Sequence, residues 1–162
     1  MTISRGWVRW CVAGLAIVAM PACGRSTTGP SGAETLDLAG AWSGTLFQPG
    51  SGTRGTDMLA TWMATQTGNS VSGSHTLSHP VLGVTLTGTL AGVLTGSQLS
   101  LTQVVARGDV PGFPDCSFTG TGSVTVTSRS ISGILTTSFK SCEGFNMFAN
   151  GSVPAELALQ KQ

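Results

Sequence analysis

Residues 117–139 read SFTGTGSVTVTSRSISGILTTSF. Phe118, Gly120, Gly122, Val124 and Val126 fall in one phase of a two-residue period, and Ser117, Thr119, Thr121, Ser123 and Thr125 fall in the other. Strict apolar/hydroxyl alternation is the signature of a half-buried β-strand, because successive side chains of a strand point to opposite faces. After Ser128-Arg129 the alternation resumes, with Ile131, Gly133, Leu135 and Phe139 in phase. A two-residue turn at Ser128-Arg129 pairs Val126 with Ile131 and Phe118 with Phe139. That register keeps both apolar sets on one side, which is the condition for burying a face. In the same register Cys116 lies opposite Ser141, one residue from Cys142.

Working outward, the same grammar fills the chain from Gly40 onward. Val71–Leu77, Leu82–Leu90 and Leu99–Thr102 alternate in the same way. A short unit recurs, an apolar residue followed by Ser or Thr and then Gly: Trp42-Ser43-Gly44, Val71-Ser72-Gly73, Leu86-Thr87-Gly88, Leu94-Thr95-Gly96, Phe118-Thr119-Gly120 and Ile131-Ser132-Gly133. In most of these the glycine falls on the apolar face, where it weakens a flat strand but permits tight bending. About eight strands result, near 40–48, 56–66, 70–78, 82–92, 97–106, 116–127, 130–140 and 145–158, joined mostly by short turns. The fold class is therefore all-β. Short connections make sequential strands neighbours, so the expected architecture is an eight-stranded antiparallel up-and-down barrel, with a two-sheet sandwich as the alternative.

Composition narrows the function classes. Of 162 residues, 8 are Lys or Arg and 7 are Asp or Glu, so 9% are charged while 40% are hydrophobic. No basic stripe suited to nucleic acid is present, and the apolar content is too high for an intrinsically disordered chain. No GxSxG elbow or other catalytic signature occurs, so the chain is expected not to be an enzyme. His75 and His79 are four residues apart, roughly 13 Å along a strand and too far to share one metal; no metal and no cofactor is expected. Asp109, Asp115 and Glu143 fall in loops and read as solvated charges.

The N-terminal segment reads as an address. Arg5 and Arg9 precede an apolar run from Trp10 to Met20, which is shorter than the ~20 residues a membrane-spanning helix needs. The following Met20-Pro21-Ala22-Cys23 resembles the lipobox of bacterial lipoproteins, which implies a signal peptide over residues 1–22 and a lipid on Cys23. Gly24 stands where an Asp would favour retention at the inner membrane, so the resemblance implies a cell-envelope protein at the outer membrane, facing the periplasm or the cell surface. Residues 23–38 read as a flexible tether and residues 39–162 as the barrel domain. The chain from Cys23 onward has 140 residues, of which 21 are Gly, 18 Ser and 21 Thr. With Cys11 in the leader and Cys23 lipidated, Cys116 and Cys142 remain as an even pair in an oxidising compartment, and are expected to form a disulfide.

Gly40-Ala41-Trp42 at the start of the first strand resembles the GxW motif of the lipocalins. The wider pattern, with Gln66-Thr67-Gly68-Asn69-Ser70-Val71-Ser72-Gly73, also resembles the avidin-type barrel, and most of all the small bacterial lipoproteins that share this Gly/Ser/Thr grammar. The chain has no Tyr and no Trp after Trp62, so biotin binding is not carried over. The resemblance implies a lipid-anchored, monomeric, non-catalytic barrel that encloses a small apolar ligand. A filled barrel acting as a structural or interaction surface is the alternative. The candidates for pocket lining or barrel plug are Trp42, Trp62 and His75. Trp42 is placed at one barrel end against the last strand, under Lys161. Trp62 is left open between inside and outside, because Met58, Ala60 and Trp62 face one way and Leu59 and Met63 the other. His75 shares a phase with Val71 and Leu77.

Overall fold

Alternation fixes which residues can be buried together, and the strands follow it. In the computed structural model, which describes residues 36–49, 57–81, 83–106, 109, 112, 114–142 and 151–162, eight strands run β1 Gly40–Phe47, β2 Met58–Thr67, β3 Ser70–His79, β4 Val84–Thr95, β5 Gln98–Val105, β6 Ser117–Val126, β7 Ser130–Lys140 and β8 Gly151–Lys161. The described residues all fall in the compact unit Ala33–Gln162. Each strand pairs antiparallel with the next, and β8 returns to β1, giving one closed up-and-down barrel. The sandwich alternative is excluded by that closure. The turn at Ser128-Arg129 sets the register anticipated above, Val126 opposite Ile131 and Phe118 opposite Phe139. The leader, the lipobox with Cys23 and most of the tether lie outside the described residues.

The last strand differs from the sequence expectation. It runs to Lys161 rather than stopping near residue 158, because Ala155, Leu157 and Leu159 all face the core and the ladder to β1 continues to the pair Trp42–Lys161. Pro154 is accommodated because it lies beyond the last β1 partner of β8, Glu156, so it has a strand on one side only. Leu36–Leu38, at the end of the stretch read as tether, belong to the barrel: Leu38 is fully buried.

Following partners around the barrel from Phe47 through Glu156, Ile134, Ser123, Ser100, Val93, Ser70 and Thr67, and extending the β1–β2 register beyond its last pair Gly40–Ala64, leads to the position of Asp37, ten residues from the start. With eight strands and ordinary strand spacing, that stagger corresponds to a tilt of about 40° and a backbone cylinder roughly 17 Å across. So narrow a cylinder brings neighbouring backbones together on the concave side. A Cβ on Gly44 would fall on the carbonyl oxygen of Ala158, one on Gly73 on that of Met63, and one on Gly88 on that of Val104. The recurring glycine is thus required where the next strand's carbonyl tips inward over it. Outside, the faces carry hydroxyls, some paired across strands, such as Thr65 with Ser72 at 3.1 Å and Ser78 with Thr85 at 3.0 Å. An apolar interior under a hydroxyl exterior is the reverse of the pattern in barrels that span membranes.

Cys116 and Cys142 form a disulfide with 4.4 Å between their Cα atoms. The one-residue mismatch is absorbed by Ser141, whose φ of 55° lies in the left-handed region. That conformation turns the chain after β7, so that Cys142 reaches back to the start of β6.

Gly44→Ala is expected to lower stability in chemical denaturation by about 3 kcal/mol, the upper part of the range for overpacking, whereas Thr121→Ala on the outer face should stay within about 0.5 kcal/mol of the parent. Removing the disulfide with Cys116→Ala and Cys142→Ala, which opens a loop of 26-residue separation, is expected to cost about 3 kcal/mol by the same measurement.

Candidate functional site

Two groups of side chains stand out inside the barrel. The first closes one end. The Trp42 indole N–H donates to the Leu38 carbonyl at 2.9 Å, and the Lys161 ammonium lies 5.5 Å from the centroid of the Trp42 ring while donating to the Asp37 carbonyl at 2.9 Å. Gln66 completes the closure: its Oε1 accepts from the Leu38 amide at 2.8 Å, and its Nε2 donates to the carbonyls of Leu36 and Gly68 at 2.9 Å each. Every polar atom named here has a partner, and Trp42 is buried beneath them. This end is a plug.

The second group lies along one cross-strand row. Trp42 on β1 is opposite Trp62 on β2, Trp62 is opposite His75 on β3, and His75 is opposite Gly88 on β4. Trp62 faces inward. The ambiguity of β2 is resolved by this pairing: Met58, Ala60, Trp62 and Ala64 enter the core, while Leu59 and Met63 stay 52% and 60% exposed. His75 is buried and reaches across Gly88, with Nε2 3.4 Å from the Val104 carbonyl and 2.6 Å from the point a Cβ on Gly88 would occupy. Because a carbonyl only accepts, Nε2 carries the proton of the neutral ring and Nδ1 presents a lone pair. On β5, Gln103 shares the inward phase of Leu99, Leu101 and Val105 and is fully buried. Its Oε1 and the Cζ of Phe118 both lie against Gly120, 3.3 Å and 3.2 Å from the position of a Cβ there. Phe118 also neighbours His75, ring centroids 6.3 Å apart, and stacks at 4.9 Å on Phe139. His75, Gln103 and Phe118 are therefore one cluster.

Four polar atoms of this centre have no hydrogen-bond partner among the described residues: Trp62 Nε1, His75 Nδ1 and both Nε2 and Oε1 of Gln103. Toward the other end, Gln48 Nε2 donates to Thr137 Oγ1 at 2.9 Å, which in turn donates to the Val153 carbonyl at 2.9 Å. The fold thus satisfies buried polar side chains where its backbone reaches them and leaves those of the centre unpaired. Each buried group without a partner costs about 1–3 kcal/mol, so three such residues weigh heavily against the ~5–15 kcal/mol that holds a domain folded.

Packing around the centre is tight. Trp62 and His75 are each 1% exposed, and Gln103 and Phe118 are at 0%. A void large enough for a sizeable ligand would leave accessible surface on its walls, and these walls have almost none.

His79 is buried as well, its Nδ1 accepting from the Val81 amide at 3.3 Å. Asp109 and Asp115 are exposed, and Glu143 lies outside the described residues. Among the described residues no group of three His, Cys, Asp or Glu side chains is arranged to hold a metal. The sequence reading singled out Trp42, Trp62 and His75 and missed Gln103. Its signal was present, a polar residue in the apolar phase of a strand.

No family model matches this chain, and no curated protein matches it.

Burial holds the His75 imidazole below its ordinary value near 6.5, opposed by its hydrogen bond to the Val104 carbonyl. The unfolded chain therefore binds a proton at a higher pH than the folded one, and stability rises with pH between the depressed folded value and about 6.5, then levels off. Thermal unfolding is expected to show a lower midpoint at about pH 5 than at about pH 7.5, and His75→Leu should flatten that dependence.

Proposed function

We propose that this protein is a lipid-anchored, non-catalytic component of the bacterial cell envelope, which acts through the outer surface and rims of a filled, lipocalin-like barrel instead of enclosing an apolar cargo. The observation that carries the reading is the closed interior: the side chains from Trp62 across His75 and Gln103 to Phe118 are 0–1% exposed. A carrier pocket for a drug-sized molecule takes roughly 300 Å³ or more, and residues lining such a space would not be so completely covered. The anchor is supported by the order of charges, apolar run and Ala22-Cys23 at the N-terminus, and outer-membrane delivery by Gly24 after the Cys. The plug built on Leu36–Leu38 supports a tether that joins the barrel at its closed end. The face offered to partners is a hydroxyl lattice with isolated apolar side chains, among them Leu59 and Met63 on β2 and Ile134 on β7.

Metabolic labelling with a clickable palmitate analogue is expected to mark the wild-type protein and not Cys23→Ser. Native mass spectrometry of the protein released from its own envelope is expected to give the lipidated chain mass without a bound apolar molecule. A stoichiometric apolar ligand that survives release would sink the filled-barrel reading.

A further inference from the structure

We propose that Trp62, His75 and Gln103 form a binding site, at the centre of the barrel, for a small uncharged molecule that both donates and accepts a hydrogen bond, of the primary-amide kind. The groups left unpaired define that chemistry. Trp62 Nε1–H and the Gln103 Nε2 hydrogens are donors, while His75 Nδ1 and Gln103 Oε1 are acceptors. A carboxamide supplies the complementary oxygen and N–H within one flat group. Charged ligands are disfavoured, because among the described residues the inward faces of β3, β4, β5 and β6 carry no Asp, Glu, Lys or Arg to offset a buried charge.

Two glycines show that the site is built. Gly88 leaves the space through which the His75 ring reaches the Val104 carbonyl, which fixes Nδ1 as the free acceptor. Gly120 differs from Gly44, Gly73, Gly88, Gly92 and Gly122: the atoms nearest to it belong only to the side chains of Phe118 and Gln103, not to backbone. No strand contact requires a glycine there. What its missing side chain provides is a seat for the Gln103 amide, bounded by side chains and not by backbone. Admission of a ligand of a few heavy atoms requires the Gln103 amide and the Phe118 ring, both at 0% exposure, to give up their places beside Gly120, while the barrel stays closed to larger apolar cargo. The inference goes beyond the proposed surface role, which stands whether or not this site is filled.

The test uses the full-length chain, 15N-labelled, in detergent, with acetamide as the probe and sodium acetate at equal concentration as its charged counterpart. The Trp62 indole signal is assigned by Trp62→Phe, and the Trp42 indole, whose N–H is already bonded to Leu38, serves as an internal control. Acetamide is expected to shift the Trp62 indole, the Gln103 side-chain amide and His75 Nδ1 together and saturably, with a millimolar midpoint suited to a ligand of so few atoms. Acetate should leave them in place. Gln103→Leu and, separately, Gly120→Ala should weaken the response at least tenfold while the remaining spectrum stays native; if one variant fails to fold, the other decides. Shifts that rise linearly without saturation, an equal response to acetate, or an undiminished response in either folded variant would overturn the proposal. So would magnetisation transfer from water to the Trp62 indole with no response to acetamide, which would make water the sole occupant.

Discussion

The barrel rests on the approach of one backbone to the next across an inward-facing glycine. Ten residues of stagger on eight strands draw the sheet into a cylinder so narrow that carbonyl groups of one strand tip over the α-carbon of its neighbour. At Gly44 the intruding oxygen comes from β8, so the seam that closes the cylinder depends on the same contact as its interior turns of the sheet. Side chains then fill what the backbone leaves. Trp42, Trp62, Phe118 and Phe139 are the largest of the fully covered residues, and the register sets Trp42 opposite Trp62 and Phe118 opposite Phe139. Small residues flank three of them on the same strand face: Gly44 beside Trp42, Ala60 and Ala64 beside Trp62, and Gly120 beside Phe118.

Much of this was legible in the order of residues. Period two needs no tertiary information, and one hairpin register followed from keeping Phe118 and Phe139 on the same side. Closure was anticipated from the repeated glycine, although the specific carbonyl each glycine faces depends on the stagger, which no local pattern contains. Two features were not readable locally, and a third was readable but hidden by its residue type. Trp62 lies on a strand with apolar residues on both faces, and only its partners Trp42 and His75 decide the side. Gln103 is polar, and the ordinary preference of glutamine for water hides what its phase declares. Ser141 takes a left-handed conformation that alternation cannot express, yet the disulfide needs it.

The interior holds two kinds of polar residue. Gln48 and Thr137 complete a chain of hydrogen bonds that ends on a strand carbonyl; they behave as part of the packing. Trp62, His75 and Gln103 sit on strands paired on both sides, and among the described residues the backbone offers them only the long contact to Val104. Leucines in their places would have met no such shortage. A core that keeps these groups accepts lower stability than its volume allows, which is the usual mark of a position held for something other than folding.

The pairing of β8 with β1 also governs how the chain can reach this state. The Lys161–Asp37 contact joins residues 124 apart, and the Gln162 amide bonds back to the Ala41 carbonyl. Each hairpin from β2 to β8 can form from near neighbours, but the cylinder gains its plug and loses its open edges only when the final strand finds the first. Among the described residues that contact closes the longest loop, and contacts so distant in sequence slow folding. Until it forms, β1 and β8 are both sheet edges able to pair with another chain. Closure thus depends on β8, and a chain interrupted before β8 is an open sheet instead of a smaller barrel.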